Sequence, residues 1–284
     1  MRAKRVYESY EGQREVSKLV DDLMKPISKI IYKAWKKDPG LQNTDDLVLK
    51  NYMNYYKPIN KEDSLLQYLD RSKLKADNNG KECLWIVWEP EGSGISASYF
   101  RDSSNIAIFT AKEYLIRGIE DLEDLIKRAK ADPDSYNLDQ EKEAKYYYNV
   151  IEEKLSRVEK EYLLHELQHA VDDWKSNGKV FTSKRYQKYT RNSEDLMNQS
   201  IPEPSKDYLR LESEVNARFT QALSKTLEWF EWEKKNREKT PTATDFIEQF
   251  QREMYNWEEL TDKQKKIVTR KVSSYWHKRE ENES

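Results

Sequence analysis

Val16, Leu19, Val20, Leu23, Met24, Ile27, Ile30, Ile31, Ala34 and Trp35 recur at a three-to-four spacing, the period of a single apolar stripe on a helix. The pattern predicts a long first helix, kinked at Pro26 and stopped at "KKDPG" by Pro39 and Gly40. Shorter helical pieces are expected around "DDLVLKNYMNYY" and "KEDSLLQYLDRSKL". After "ADNNGKE" the period changes. "CLWIVWEP" (83 to 90), "ISASYF" (95 to 100) and "NIAIFT" (105 to 110) are rich in β-branched and aromatic residues, with "EGSG" and "RDSS" as turns between them. They predict two or three antiparallel strands, the one β-region of the chain.

Helical periodicity returns with Leu115, Ile119, Leu122, Ile126 and Ala129, predicting a helix over about 111 to 131. A long helical stretch is expected from about 140 to 175, closed by "SNGK" with Gly178 as its stop. Residues 179 to 206 are polar and read as loop, and a further helix is expected over about 206 to 235. "KKNREKTPTAT" reads as a linker. Two closing helices follow, the first carrying Phe246, Ile247, Phe250 and Met254, the second opened by Thr261 with Gln264 three residues on, a capping-box signature. The end, "KREENES", is expected to fray.

Composition narrows this to a helical, aromatic-rich globule. Only 37% of the 284 residues are hydrophobic and 36% are charged, so much of the chain must face solvent, yet 19 Tyr and 8 Trp argue against general disorder. Fifty basic against 52 acidic residues leave a formal charge of −2, which indicates no nucleic-acid partner. Cys83 is the single cysteine, so neither an intrachain disulfide nor a thiolate metal cluster is available. "MRAKRVYESYEGQREV" has no apolar region of a signal peptide, and no run approaches a membrane span. The expected location is therefore cytoplasmic, with packaging in a particle the alternative, and no membrane partner is expected.

Candidate chemistry sits in "YLLHELQHAVDDW", residues 162 to 174, which holds two of the three histidines. His165 and His169 are four apart and share one face of a helix, while Leu163, Leu164, Leu167, Ala170, Val171 and Trp174 take the opposite side. This is H-E-x-x-H, with two nitrogen ligands for one zinc ion and Glu166 as the carboxylate that activates a water. Three histidines placed at random would give the pair with its glutamate with a chance of roughly 0.002, against which the match is weighed.

Catalytic zinc usually takes a third protein ligand. A metzincin arrangement would need Gly and His where this chain has Asp172 and Lys175, so that class is excluded. His277, in "YWHKRE", reads as an exposed helix residue. An acidic ligand on a neighbouring helix is then expected, and "YLRLESEVNARFTQAL" (208 to 223) offers Glu212 and Glu214. Periodicity leaves both eligible; the off-stripe position of His165 and His169 favours Glu214. Asp172 and Asp173, one turn on, are candidates to orient a ligand imidazole.

"HELQHA" followed by Tyr208, Ser213, Glu214, Val215, Ala217 and Arg218 in a Tyr-x4-Ser-Glu-Val-x-Ala-Arg pattern resembles the gluzincin side of the zincin metallopeptidases, and is similar to metallopeptidase-like domains of bacteriophages and mobile elements. "SASYFRDSSNIAIF" resembles the strand pair that precedes their active-site helix. The likeness covers roughly 80 to 230. It implies His165, His169 and Glu214 as zinc ligands and Glu166 as catalytic base. Arg218 would brace Glu214 or another carboxylate, and Tyr208 is a weaker candidate for oxyanion stabilisation.

The expected fold class is α+β and predominantly helical: a zincin-like core with a small antiparallel sheet packed on the HExxH helix, plus flanking helices. The expected divisions are an N-terminal helical region (1–80), a zincin-like catalytic domain (81–236) and a C-terminal helical extension (237–284). The expected function is zinc-dependent hydrolysis of peptide bonds in a protein or peptide substrate. A structural or assembly protein retaining the fold without turnover is the alternative, and cleavage of cell-wall peptides is a third reading for which no wall-binding module is visible.

Overall fold

The computed structural model describes residues 2–59, 65, 81–89, 96–100, 104–131, 140–156, 159–176, 179–181, 209–236 and 240–283. These residues form a mostly helical protein with one small mixed sheet. Lys18–Lys61 and Asp70–Leu167 belong to one compact unit; Met1–Ser17, Glu62–Leu69 and Gln168–Ser284 belong to the other.

The first helix, α1, runs Arg2–Lys37 with Pro26 inside it. Its predicted stripe is buried from Val16 to Trp35, Ile30 and Ala34 lying at its margin. Gly40, at φ 85, turns the chain after the helix in a conformation that suits a residue without a Cβ. "DDLVLKNYMNYY" is not helical: strand β1 spans Leu47–Lys50, and a 3-10 turn follows over Tyr52–Tyr55. Asn51 separates them at φ 53, the left-handed region that asparagine enters more readily than most residues. "KEDSLLQYLDRSKL" lies outside the described residues except for Leu65.

Strands β2 (Cys83–Glu89), β3 (Ser96–Phe100) and β4 (Asn105–Ala111) fall where alternation and β-branching put them. The sheet order is β1-β2-β4-β3. β3 pairs β4 antiparallel and β1 pairs β2 antiparallel, but β2 and β4 run parallel, Leu84 opposite Ile106 through Glu89 opposite Ala111. The sheet is therefore mixed rather than antiparallel. β4 occupies an interior position, and its near-continuous burial is that of a strand covered on both faces. β3 is left at an edge.

In the same unit, α2 (Lys112–Ala131) packs on α3 (Gln140–Ser156). Gly118 permits the close approach, since a Cβ there would stand 2.6 Å from Lys154 Cε. Glu123 of α2 accepts from Trp35 Nε1 at 3.0 Å and from Tyr147 Oη at 3.4 Å, while Tyr147 stacks on Tyr32 at 4.8 Å. The helical stretch predicted over 140 to 175 is two helices, α3 and α4 (Glu159–Ser176).

The other unit carries α5 (Glu212–Asn236), α6 (Ala243–Glu253) and α7 (Asp262–Glu283). Phe219, Phe230, Phe246, Phe250, Val272 and Trp276 lead their common core. Both short helix starts are closed by capping boxes. Thr242 and Asp245 bond reciprocally at α6, and Thr261 N donates to Gln264 Oε1 at 3.1 Å while Gln264 N donates to Thr261 Oγ1 at 3.3 Å at α7. The last helix extends to Glu283, through most of "KREENES". No helix among the described residues is long and apolar enough to cross a membrane.

Candidate metal centre

Helix α4 buries nearly its whole circumference around the motif. Leu163, Leu164, Leu167, Ala170 and Val171 are enclosed as the sequence predicts, but so are His165 and His169, each 7% exposed, with Gln168 and Asp173. The face that presents the two imidazoles, opposite the apolar one, is thus itself largely interior. Burying imidazoles is tolerable only with hydrogen-bonding or coordinating partners. One ligand atom from each of His165, Glu166 and His169 lies within 4.8 Å of the others.

Glu166 is less buried than its neighbours, and Tyr99 N–H donates to its Oε2 at 2.8 Å. Tyr99 lies on β3, the edge strand, so an outward-pointing backbone amide of the sheet anchors the motif's carboxylate. Sequence pattern did not single out this contact: it belongs to a backbone atom and carries no side-chain signature.

Glu214 stands in the first turn of α5, where the helix dipole favours a carboxylate. It is 1% exposed, and its Oε1 lies 3.1 Å from His169 Nε2. Glu212, the other candidate, is exposed. Tetrahedral zinc with bonds of 2.0–2.1 Å holds its ligand atoms roughly 3.3 Å apart, so the His169–Glu214 pair already has the separation of two donors to one ion. Two imidazoles and a carboxylate are a donor set that zinc accepts; the group whose ligand atoms lie within 4.8 Å of one another is His165, Glu166 and His169, and Glu214 meets it through His169 alone.

The remaining candidates take other places. Tyr208 lies outside the described residues. Arg218 does not brace Glu214: its Nη1 donates to Gln221 Oε1 at 3.2 Å, and its guanidinium lies 5.0 Å from the Tyr255 ring centre. Asp172 does not hydrogen-bond an imidazole; it accepts from Gln168 Nε2 at 2.8 Å and from Asn216 Nδ2 at 3.1 Å. Burial pushes its carboxyl up, against the Asn216 and Gln168 hydrogen bonds and the charges of His169 and Lys175. Asp173 is buried on the same helix. His277 is exposed on α7, 3.9 Å from Glu280. Cys83 is buried in β2, and burial pushes its thiol up, away from reactive thiolate.

No known protein family, curated protein or solved structure matches the chain.

A polar network the sequence reading did not pick out lies beside the candidate site. Thr220 Oγ1 donates to Gln168 Oε1 at 2.9 Å, and Lys271 Nζ of α7 reaches Asn216 Oδ1 at 3.5 Å. Burial pushes the Lys271 ammonium down, opposed by Asp172 and Glu212. The available signal was spacing: Gln168 and Asp172 are four apart on one helix, Asn216 and Thr220 four apart on the other.

Proposed function

We propose that the protein is a zinc-dependent metallopeptidase. The observation that carries this reading is the meeting of His169 Nε2 with Glu214 Oε1 at 3.1 Å on the helix that also presents His165 and Glu166. His165, His169 and Glu214 would hold the ion. When bound, zinc polarises a peptide carbonyl and lowers the pKa of water at the site to about 7.

The chain's own residues supply the rest. Glu166, only partly buried, takes up a proton on its carboxylate and returns it to the leaving amine, acting as general base and then acid. The Tyr99 N–H bond holds one oxygen of that carboxylate, leaving Oε1 to handle the proton. An extended substrate peptide adds to the edge of β3, which places its backbone beside Glu166. The substrate is a protein or peptide, and the donor set would hold one zinc ion.

The test is metal analysis of protein purified without chelator, together with cleavage of an unfolded protein substrate. Stoichiometric zinc and cleavage lost in Glu166→Gln are expected. Wild-type protein without zinc would end the enzymatic reading and leave an assembly role for the fold.

A further inference from the structure

The two hydrogen bonds between α4 and α5 form a double rung: Gln168 with Thr220, and Asp172 with Asn216. Going forward by four residues on α4 means going back by four on α5, so the rungs sit one turn apart on helices of opposite direction. Two such rungs fix both the sliding and the rotation of one helix against the other. A single one would leave a pivot.

That matters for Glu214. By helical periodicity it leaves α5 roughly 160° around from Asn216, so its approach to His169 depends on how α5 is rotated. A turn's slip, about 5.4 Å, is larger than the 3.1 Å that joins Glu214 to His169. Lys271 is the third contributor. It comes from α7, outside both helices, and its ammonium meets Asn216 Oδ1 while facing Asp172 and Glu212. The same ammonium lies over the Phe219 ring, 5.6 Å from its centre. The side-chain amide of Asn216 is therefore used at both ends, donating to Asp172 and accepting from Lys271.

We propose that the Asp172–Asn216 rung, closed by Lys271, is a positioning device that sets the affinity of the His165–His169–Glu214 site for zinc, and so makes the C-terminal helix part of metal capture. The inference rests on the zinc reading above. Asp172, Asn216 and Lys271 touch neither metal nor substrate; they act through Glu214 and His169.

The experiment measures the zinc dissociation constant of the full chain by competition with a chromogenic chelator, together with the visible spectrum of the Co2+-loaded protein and the melting temperature. Asn216→Leu and Lys271→Met should weaken zinc binding about 10- to 100-fold, the range seen when outer partners of metal ligands are removed, and should shift the Co2+ bands. Lys271→Arg should restore affinity to within about threefold, since it keeps a cationic donor. Val272→Ala, which opens the adjacent core without touching the rung, should lower the melting temperature and leave zinc affinity unchanged. If Lys271→Met and Asn216→Leu bind zinc as the wild type does, or if Val272→Ala weakens binding as much as they do, the device is a general packing feature and the inference fails. Wild-type protein that binds no zinc overturns the metallopeptidase reading itself, a result distinct from either.

Discussion

Tyr99 donates its backbone N–H to Glu166 Oε2 across 2.8 Å, joining the edge of the sheet to the one carboxylate of the motif that is not enclosed. An amide oxygen can also accept that bond, though more weakly than an ionised carboxylate. Glu166→Gln should therefore fold and bind zinc as the wild type does while losing the proton acceptor. Peptide cleavage should fall by roughly 10³-fold, within the usual contribution of general base catalysis. Steady-state cleavage assays beside zinc analysis check this.

The two candidate acids separate by burial. Glu214→Ala should reduce zinc occupancy sharply, because it removes a donor already 3.1 Å from His169 Nε2. Glu212→Ala, at an exposed position, should bind zinc normally. His165→Ala should lose both metal and cleavage. Equilibrium dialysis of the three variants decides the assignment.

If zinc occupies the site as proposed, removing it should also soften the fold. A carboxylate that is 1% exposed and two nearly enclosed imidazoles are costly to keep inside without a cation. Zinc at about 100 times its dissociation constant adds about 2.7 kcal/mol, which for a chain of this size raises the melting temperature by roughly 5 °C. A scan with chelator and another after zinc is returned should show that shift and its reversal.

The sheet offers a prediction in the alkaline range. Tyr52 is fully buried and donates its hydroxyl to Ser104 O at 3.1 Å. Burial holds its phenol well above the ordinary value near 10, reinforced by Tyr99, Glu82 and Cys83. A folded-state pKa above the unfolded one means that the folded protein keeps a proton the unfolded chain gives up. The stability from this group is complete below pH 10 and drains away as pH rises toward the folded value. Tyr52→Phe should lose about 1 kcal/mol at pH 8 through the missing hydrogen bond and show a shallower decline between pH 10 and 11. Urea unfolding at each pH measures both.

Much of this molecule can be read along the chain, for identifiable reasons. The stripe from Val16 to Trp35 and the capping pair Thr261–Gln264 are local signals, and local signals survive folding. The strands at 83, 96 and 105 were equally legible because alternation and β-branching act within each segment. Their order was not: parallel pairing of β2 with β4 depends on what lies between them in space. β1 was misread because "LVLK" is too short for a period of two to outweigh the helical spacing of its neighbours, and Asn51 ends it by a backbone turn that composition does not announce. Within the candidate site, H-E-x-x-H was explicit. What separates Glu214 from Glu212 is burial, which spacing along the chain does not carry, and what located Lys271 was the packing of a helix about 100 residues farther along.

Helix α4 carries its histidines inward, and that orientation has a consequence for how the molecule can be improved. A protein shaped for durability alone would fill those interior positions with hydrocarbon. Replacing His165, His169 and Glu214 together by leucine should yield a tougher, chemically silent globule, with a higher midpoint in urea than metal-stripped wild type. On that expectation the natural residues would hold the fold below that ceiling, and laboratory selection for heat resistance would be drawn toward erasing them first.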